Sequence, residues 1–311
     1  MNEVVKPLVS VMIPAYNHER YVEDAILSVI NQTYGYENIQ LIVTDDCSRD
    51  NTVSILRELE SKYKFKLILH SKNSGITTAL NEMISLSKGT YITGFASDDI
   101  MVLDRIEKQV NLLQENPDID ILTGDSILID VHGNILFEHK QEPSYSQIIY
   151  SFEDLFLSLK PRFAAGSAMY KSEIFERIGT YDPNYKIEDY YYWLKAAYNN
   201  AKIVKCNLPF LYYRVLNNSL SSNEELMAQE GNKILSIYKL HPKYNKAIQN
   251  REIFTLSKWI FINKFQVLKR ILRNPVLLLN RKIIKVLIML VLPKYILKKR
   301  FPENYFRHEA I

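Results

Sequence analysis

GTYITGFASDDI, residues 89–100, is a short apolar run that closes on two adjacent acids. Residues 91–96 read as a buried strand, and Gly89 ends whatever helix precedes it. Residues 103–114 follow as a helix with Leu103, Ile106, Val110 and Leu113 on one face. Upstream the same unit recurs three times. Residues 8–13 form an apolar strand stopped by Pro14, and a helix follows with Asn17 as its cap, Glu19 in its first turn, and Ala25, Ile26, Val29 and Ile30 on its inner face. Residues 39–44 precede a helix after Asp50 that buries Val53, Leu56 and Leu59, and residues 66–70 precede a helix over 77–87. Strand and helix alternating in this way predict an α/β fold with a mostly parallel sheet covered on both faces.

Downstream the rhythm changes. Residues 127–130 and 135–138 flank Val131-His132-Gly133-Asn134, a turn signal that predicts an antiparallel hairpin and makes the sheet mixed. Helices are expected at 152–159 and 188–198, with short strands at 168–170, 203–205 and 211–215. A first domain over residues 1–222 fits this count. From 225 to 297 apolar residues recur at helical spacing, broken at His241-Pro242, Asn274-Pro275 and Pro293, so residues 223–311 are expected to be a helical C-terminal region.

The chain has 311 residues, 47% of them apolar and 24% charged, which is enough to bury a sizeable core. Its net charge of +4 hides an asymmetry: residues 256–311 hold thirteen Lys and Arg against two acids, about +11, leaving about −7 for the rest. Cys47 and Cys206 are the only cysteines, too few for a zinc cluster and typical of a reduced compartment. The first residues carry no secretory pattern, so a cytoplasmic setting is expected. Residues 276–297 are rich in Leu, Ile and Val, yet Arg281, Lys282 and Lys285 fall among them, which favours a helix lying on a membrane over one spanning it. Two readings of the basic helices stand: peripheral attachment to the anionic inner face of the cell membrane, or a bundle whose basic face is solvated or forms an oligomer contact. Nucleic acid is not an expected partner, because no recognition helix, zinc motif or RNA-binding aromatic motif accompanies the charge.

In an open parallel sheet, ligands lie beyond the carboxyl ends of the strands. Here those ends carry Pro14-Ala15-Tyr16-Asn17, Asp45-Asp46 and Ser97-Asp98-Asp99. Adjacent carboxylates repel, and each raises the other's pKa unless a cation or donors compensate. Hard Mg²⁺ or Mn²⁺ suits them and commonly takes one or two carboxylates plus substrate phosphates. The plainer alternative is that both pairs cap helices or shape turns.

Five segments in order resemble the family 2 glycosyltransferases with the GT-A fold. They are VSVMIPAYN (9–17) with SVINQTY (28–34), LIVTDDCSRDNT (41–52), residues 73–100 ending in GFASDDI, residues 166–197 containing GSAMYKSEIF and KIEDYYYW, and LYYR (211–214). The resemblance implies that Pro14, Ala15 and Tyr16, with Asn17, line a nucleotide pocket, that Asp46 bonds the base, uracil by preference, and that Asp45 supports the loop. It implies further that Asp98 meets the ribose region and that Asp99, with Asp98 beside it, holds the metal. Asp189 matches the acceptor-activating carboxylate, with Glu188 as the neighbouring alternative; read without the family, the two are a first-turn pair favoured by the helix dipole. A single base opposite the leaving group implies inversion at the anomeric carbon.

Tyr190 and Trp193 share that helix and either line an acceptor site or belong to the core. Arg214 either reaches the diphosphate or closes the last strand. The implied activity is sugar transfer from a nucleotide sugar to a hydroxyl acceptor, with a lipid-linked surface glycan as the expected acceptor. The competing reading is an inactive nucleotide-sugar-binding scaffold at the membrane. A nucleotidyltransferase is disfavoured because VMIPAYNHERY has no Gly-rich or basic phosphate loop. Cys47 stands where the family often has glycine, and His18, His70, His132, His139 and His241 show no ligand spacing and read as surface or loop residues.

Overall fold

β-Branched runs supply the strands of this protein and residues at helical spacing its covering layers. The computed structural model describes residues 6–138, 146–161, 163–216, 223–293 and 295–297. In chain order the first elements are β1 (Val9–Ala15), α1 (Val22–Ile30), β2 (Ile39–Asp45), α2 (Thr52–Tyr63), β3 (Lys66–Leu69), α3 (Ile76–Leu86), β4 (Tyr91–Gly94), β5 (Ile100–Met101) and α4 (Arg105–Glu115). Next come β6 (Ile121–Ile129), β7 (Ile135–Phe137), β8 (Gln147–Tyr150), α5 (Phe152–Phe156), β9 (Met169–Lys171), α6 (Glu173–Ile178), α7 (Glu188–Tyr198) and β10 (Ile203–Arg214). The helical remainder is α8 (Glu224–Leu235), α9 (Tyr244–Ile262), α10 (Lys264–Arg273) and α11 (Ile283–Val291).

The chain divides into two compact units. The first takes in residues up to 150, 163–183 and 195–216. Its sheet runs β3-β2-β1-β4-β9-β6-β10-β5, with β7 on β6 and β8 on β10. The pairs β3-β2, β2-β1, β1-β4 and β6-β10 are parallel and the others antiparallel, so this is the mixed α/β sheet of a GT-A fold. Val9, Val11 and Ile13 of β1 pack with Ala25, Ile26 and Val29 of α1, Leu56 of α2, and Ile106 and Val110 of α4. Parallel pairing sets Ala15 beside Asp45 and Asp45 beside Leu69, so β1, β2 and β3 end on one edge. The residues that follow leave the sheet together.

Several expectations need correction. Pro14 lies inside β1, opposite Thr44; the β4 ladder ends at Met12, so the missing N–H of Pro14 breaks no pairing on that side. Asn17 caps nothing: it has φ 54, and α1 starts at Val22 without a side-chain cap. Leu103 is 59% exposed because α4 begins two residues later. The two short strands expected at 203–205 and 211–215 are one strand, β10, with irregular register around Pro209. β5, β8 and α6 went unread, since two to six residues carry too little period to register. The expected hairpin is present as β6-β7, its turn held by Asp130, whose carboxylate accepts the His132 and Asn134 N–H groups.

The second unit takes in residues 151–161, 184–194 and the described chain from 223 onward. Phe156, Leu157, Ile187 and Leu194 share a cluster with Ile234, Leu235 and Ala247. A further cluster joins Ile253, Leu256 and Ile260 of α9 to Val267 and Ile271 of α10 and to Ile283, Val286 and Met289 of α11. The division therefore does not fall simply at 222, because two earlier segments find their apolar partners in later helices. Pro275 sits at the start of a 3₁₀ turn, Pro275–Leu279, that separates α10 from α11. Among the described residues no helix is long and apolar enough to cross a membrane.

Candidate active site

Beyond β4 the chain stays on the sheet for one more hydrogen bond, Phe95 N–H to the Met12 carbonyl, and then turns through buried Ser97, Asp98 and Asp99. Neither aspartate caps a helix: Asp104 precedes α4, and it too makes no side-chain cap. Asp99 Oδ1 accepts the backbone N–H of Arg214 at 2.8 Å. The Arg214 guanidinium donates from Nε to the Asp98 carbonyl at 2.8 Å and from Nη1 to the Asp130 carbonyl at 3.1 Å, and it lies 4.6 Å over the Tyr21 ring. Arg214 is 3% exposed. Of its two sequence readings, the one that closes the last strand agrees with this packing, and an arm reaching to a diphosphate does not.

Burial pushes the Asp98 carboxyl above its ordinary range, with His18 and Arg214 pulling the other way. Asp99 is raised well above its ordinary value by burial and then by the charge of Asp98, against the Arg214 N–H, Arg214 and Arg105. Arg105 is wholly buried and donates to Gln109 Oε1, the Gly166 and Ala168 carbonyls and Thr93 Oγ1. Burial lowers its pKa to about 9 even against the pull of Asp99. Sequence reasoning did not single it out; the one available signal was Gln109, four residues on, which shares its face.

Among the described residues no three His, Cys, Asp or Glu side chains converge on a metal position. The pair Asp98-Asp99 by itself offers hard oxygen donors whose like charge lacks full compensation. Such a donor set fits a Mg²⁺ or Mn²⁺ ion that takes its remaining ligands from water and substrate phosphate.

The neighbouring strand end is organised around Asp46. Oδ1 accepts the Ser74 N–H at 2.7 Å and meets His70 Nδ1 at 2.8 Å, while Oδ2 accepts the Gly75 N–H at 2.8 Å. Burial alone would raise this carboxyl, but those bonds outweigh it and hold it below its ordinary range. Asp45 turns to Ser48, accepting its N–H, as loop support requires. Asn17 joins the two loops, its N–H donating to Ser48 Oγ and its Oδ1 accepting the Arg49 N–H. Cys47 has φ 67, the left-handed conformation that glycine adopts most easily, which accounts for the family's preference there. Ala15 is buried and its carbonyl accepts the Asp46 N–H, while the next residue, Tyr16, is 41% exposed.

Two of the histidines lie in loops, as read, yet both are bonded into the site. His70 Nε2 also meets Glu82 Oε2 at 2.8 Å, and His18 Nδ1 lies 2.7 Å from Ser97 Oγ and 3.9 Å from Asp98. His70 follows β3 directly and His18 comes three residues after β1, which was the available signal.

Glu188 and Asp189 open α7 and lie in the second unit. Asp189 Oδ1 accepts its neighbour's N–H, that of Tyr190, at 2.6 Å. Burial, then the charge of Asp189, pushes Glu188 up to about 8. Trp193 is 6% exposed and belongs to the core, not to an open acceptor floor. Tyr190 is half-buried, its hydroxyl donating to the Leu155 carbonyl and its ring 5.2 Å from the Arg251 guanidinium.

The model of the family described as glycosyl transferase family 2 matches residues 10–179. An uncharacterized glycosyltransferase of Methanocaldococcus jannaschii is 30% identical over 259 residues, 82% of this chain and 86% of the relative. Among solved structures, the mannosyltransferase PcManGT from Pyrobaculum calidifontis, in complex with GDP-Man and Mn²⁺, superposes with a TM-score of 0.65 at 17% identity, covering 98% of this chain and 86% of that one. S. aureus TarS in complex with UDP-GlcNAc gives 0.57 at 19% identity over 81% of this chain and 80% of that one. At these identities the two structures share the fold.

Proposed function

The chain belongs to glycosyl transferase family 2 and is a glycosyltransferase; from that premise we propose that it transfers a sugar from a UDP-linked donor to a hydroxyl acceptor, with a divalent cation and with inversion. The observation that carries the reading is the buried Asp98-Asp99 pair at a sheet edge that also presents Asp46. In this reading Asp46 accepts the N–H of the base, and Ala15 and Tyr16 border it. Asp98 and Asp99 would hold Mg²⁺ or Mn²⁺, whose chemistry is to neutralise the departing diphosphate. Arg214 holds the pair through its N–H to Asp99 and its guanidinium to the Asp98 carbonyl, and the Arg105 charge acts on Asp99. The role of base that takes the proton of the acceptor hydroxyl is assigned to Asp189, and the hydroxyl oxygen bonds to the anomeric carbon as the bond to UDP breaks. Glu188 is protonated at neutral pH and remains beside the base as a neutral neighbour.

The test is a thermal-shift series with UDP, GDP, CDP and TDP and their sugars, with and without Mn²⁺ or Mg²⁺. A ligand at about a hundred times its Kd adds about 2.7 kcal/mol to the native state. A metal-dependent rise in Tm with UDP and UDP-sugars is expected. A rise with GDP alone would move the donor to a guanine nucleotide, and no rise with any nucleotide would sink the donor site. Donor hydrolysis in the presence of metal separates an enzyme from an inactive scaffold.

The same proposal places the enzyme on an anionic lipid surface, with a lipid-linked glycan as acceptor. Residues 253–302 contain no Asp or Glu. Phe265 and Leu272 of α10 and Ile284, Ile288 and Val291 of α11 point away from the shared core and are each more than half exposed. Lys269, Arg273 and Arg281 are exposed beside them. Apolar side chains rimmed by uncompensated cations are the composition of an interfacial helix. The full chain is expected to float with phosphatidylglycerol vesicles and not with phosphatidylcholine vesicles, and 0.5 M salt should release most of it, since the Debye length falls to about 4 Å. The pair Leu272→Glu and Ile288→Glu should abolish flotation without changing the nucleotide shift. Unchanged flotation would reject this face, and a dimer lost in the same variants without any flotation would make it an oligomer contact.

A further inference from the structure

Asp46, His70 and Glu82 form a chain of three charged groups linking the end of β2, the end of β3 and the body of α3. The His70 ring spans it: Nδ1 is 2.8 Å from Asp46 Oδ1, and Nε2 is 2.8 Å from Glu82 Oε2. An ionised carboxylate can only accept hydrogen bonds, and a neutral imidazole has a single N–H. Two carboxylates at hydrogen-bonding distance from both ring nitrogens are satisfied together only by an imidazolium. The backbone fixes the ring as well, because the His70 N–H donates to the Asp45 carbonyl at 2.9 Å.

We propose that His70 is a positioning residue for the donor, holding Asp46 and the 71–75 loop in their base-binding arrangement only while it carries both protons. This rests on the donor reading of Asp46 given above. Ser74 and Gly75, whose N–H groups hold Asp46, lie in the loop between His70 and α3. Glu82 belongs to α3, which that loop enters. The bonded ring thus ties both ends of the loop to the carboxylate at its centre. Loss of one proton leaves a lone pair facing one carboxylate. The arm that lets go is Glu82, whose side chain is 40% exposed and can return to water, whereas that of Asp46 is 8% exposed and is held by two backbone N–H groups.

Asp46 and Glu82 are the charged groups that face the ring. Asp45 turns its carboxylate to Ser48 and offers only its carbonyl, while Lys66 of β3 and Lys72 of the following loop are exposed. Burial would lower the His70 pKa, but the bonds to Glu82 and Asp46 raise it overall. The doubly protonated form therefore persists to higher pH than in a free imidazole, and donor affinity is lost as pH rises through that raised value.

The test combines UDP affinity from pH 6 to 9 in the full-length protein with an NMR titration of the His70 ring. For the unaltered protein, the UDP Kd is expected to weaken about tenfold across the range, the scale of one charge-assisted hydrogen bond. The variant His70→Gln should be weaker at acid pH and flat with pH, with KM for the donor raised and kcat retained. Glu82→Gln is the informative variant, because its amide donates to the neutral ring nitrogen and completes the chain without the second proton. It should keep the strong acid-pH affinity throughout and bring the ring pKa down. A pH dependence that persists unchanged in His70→Gln, or a ring that titrates at its ordinary value in the unaltered protein, would overturn the proposal. Failure of the donor reading looks different: no UDP affinity at any pH in the unaltered protein, with the ring pKa still raised.

Discussion

Replacing Asp99 with Asn is expected to raise the thermal midpoint of the ligand-free protein while stopping sugar transfer. Burial and the adjacent Asp98 disfavour the ionised form of Asp99, whose pKa stands well above its ordinary value. A carboxyl with a raised folded pKa binds more protons folded than unfolded between the two values, so stability falls as pH climbs through that window. The amide of the Asp99→Asn variant would keep the bond from the Arg214 N–H, because an amide oxygen accepts as a carboxylate oxygen does. It removes the like charge. A gain of about 1 kcal/mol, or roughly 2 °C in Tm for a chain of this size, is expected near pH 7.5 without metal. Transfer should fall by about 10²–10³ or more, the scale of losing one preorganised electrostatic contact, and Mn²⁺ with UDP should no longer raise Tm. Scanning calorimetry across pH 5–8.5 with and without Mn²⁺, beside a transfer assay, measures both. A variant that is less stable at every pH, or that transfers normally, would contradict the role given to Asp99.

Asp189→Asn and Glu188→Gln should part company. Asp189→Asn removes the proposed base, and a loss of about 10²–10⁴ in kcat is expected with UDP affinity within twofold. Glu188 is held up to about 8 by burial and by Asp189, so at pH 7 it is already neutral and Gln imitates that state. Glu188→Gln should therefore retain kcat at pH 7 to within about threefold. The unaltered enzyme should show a change in rate near pH 8 as Glu188 ionises beside the base, and the Gln variant should lack it. If Asp189→Asn is tolerated and Glu188→Gln is inactive, the two carboxylates exchange roles.

How much could be read without the structure depended on the range of the interactions. β1, β2 and β4 were legible because they are largely buried and rich in apolar and β-branched residues, and the acids after them marked the candidate site. The helical character of residues 225–297 declared itself through the spacing of its apolar residues. What stayed hidden was settled by distant partners. Arg105 became a core residue through carbonyls at Gly166 and Ala168, some sixty residues away. Arg214 lost its freedom to the backbone at Asp98 and Asp130. His70 acquired its second carboxylate from one face of α3. Trp193 could not be told from an acceptor platform, since spacing along a helix shows which side a ring takes and not what covers it.

The chain visits the second unit twice before it reaches its helical end, and Ile187 and Leu194, which bracket the turn bearing Glu188 and Asp189, pack with Ile234, Leu235 and Ala247. The C-terminal helices are therefore no detachable cassette. A hybrid that joined residues 1–222 to the tail of another enzyme would inherit a foreign bed for its own carboxylate turn. Recombination at that seam should yield defective offspring unless the side chains meeting Phe156, Ile187 and Leu194 travel with it. In descent, change in the tail and change in residues 151–161 and 184–194 are bound to be correlated, as the two halves of one inheritance.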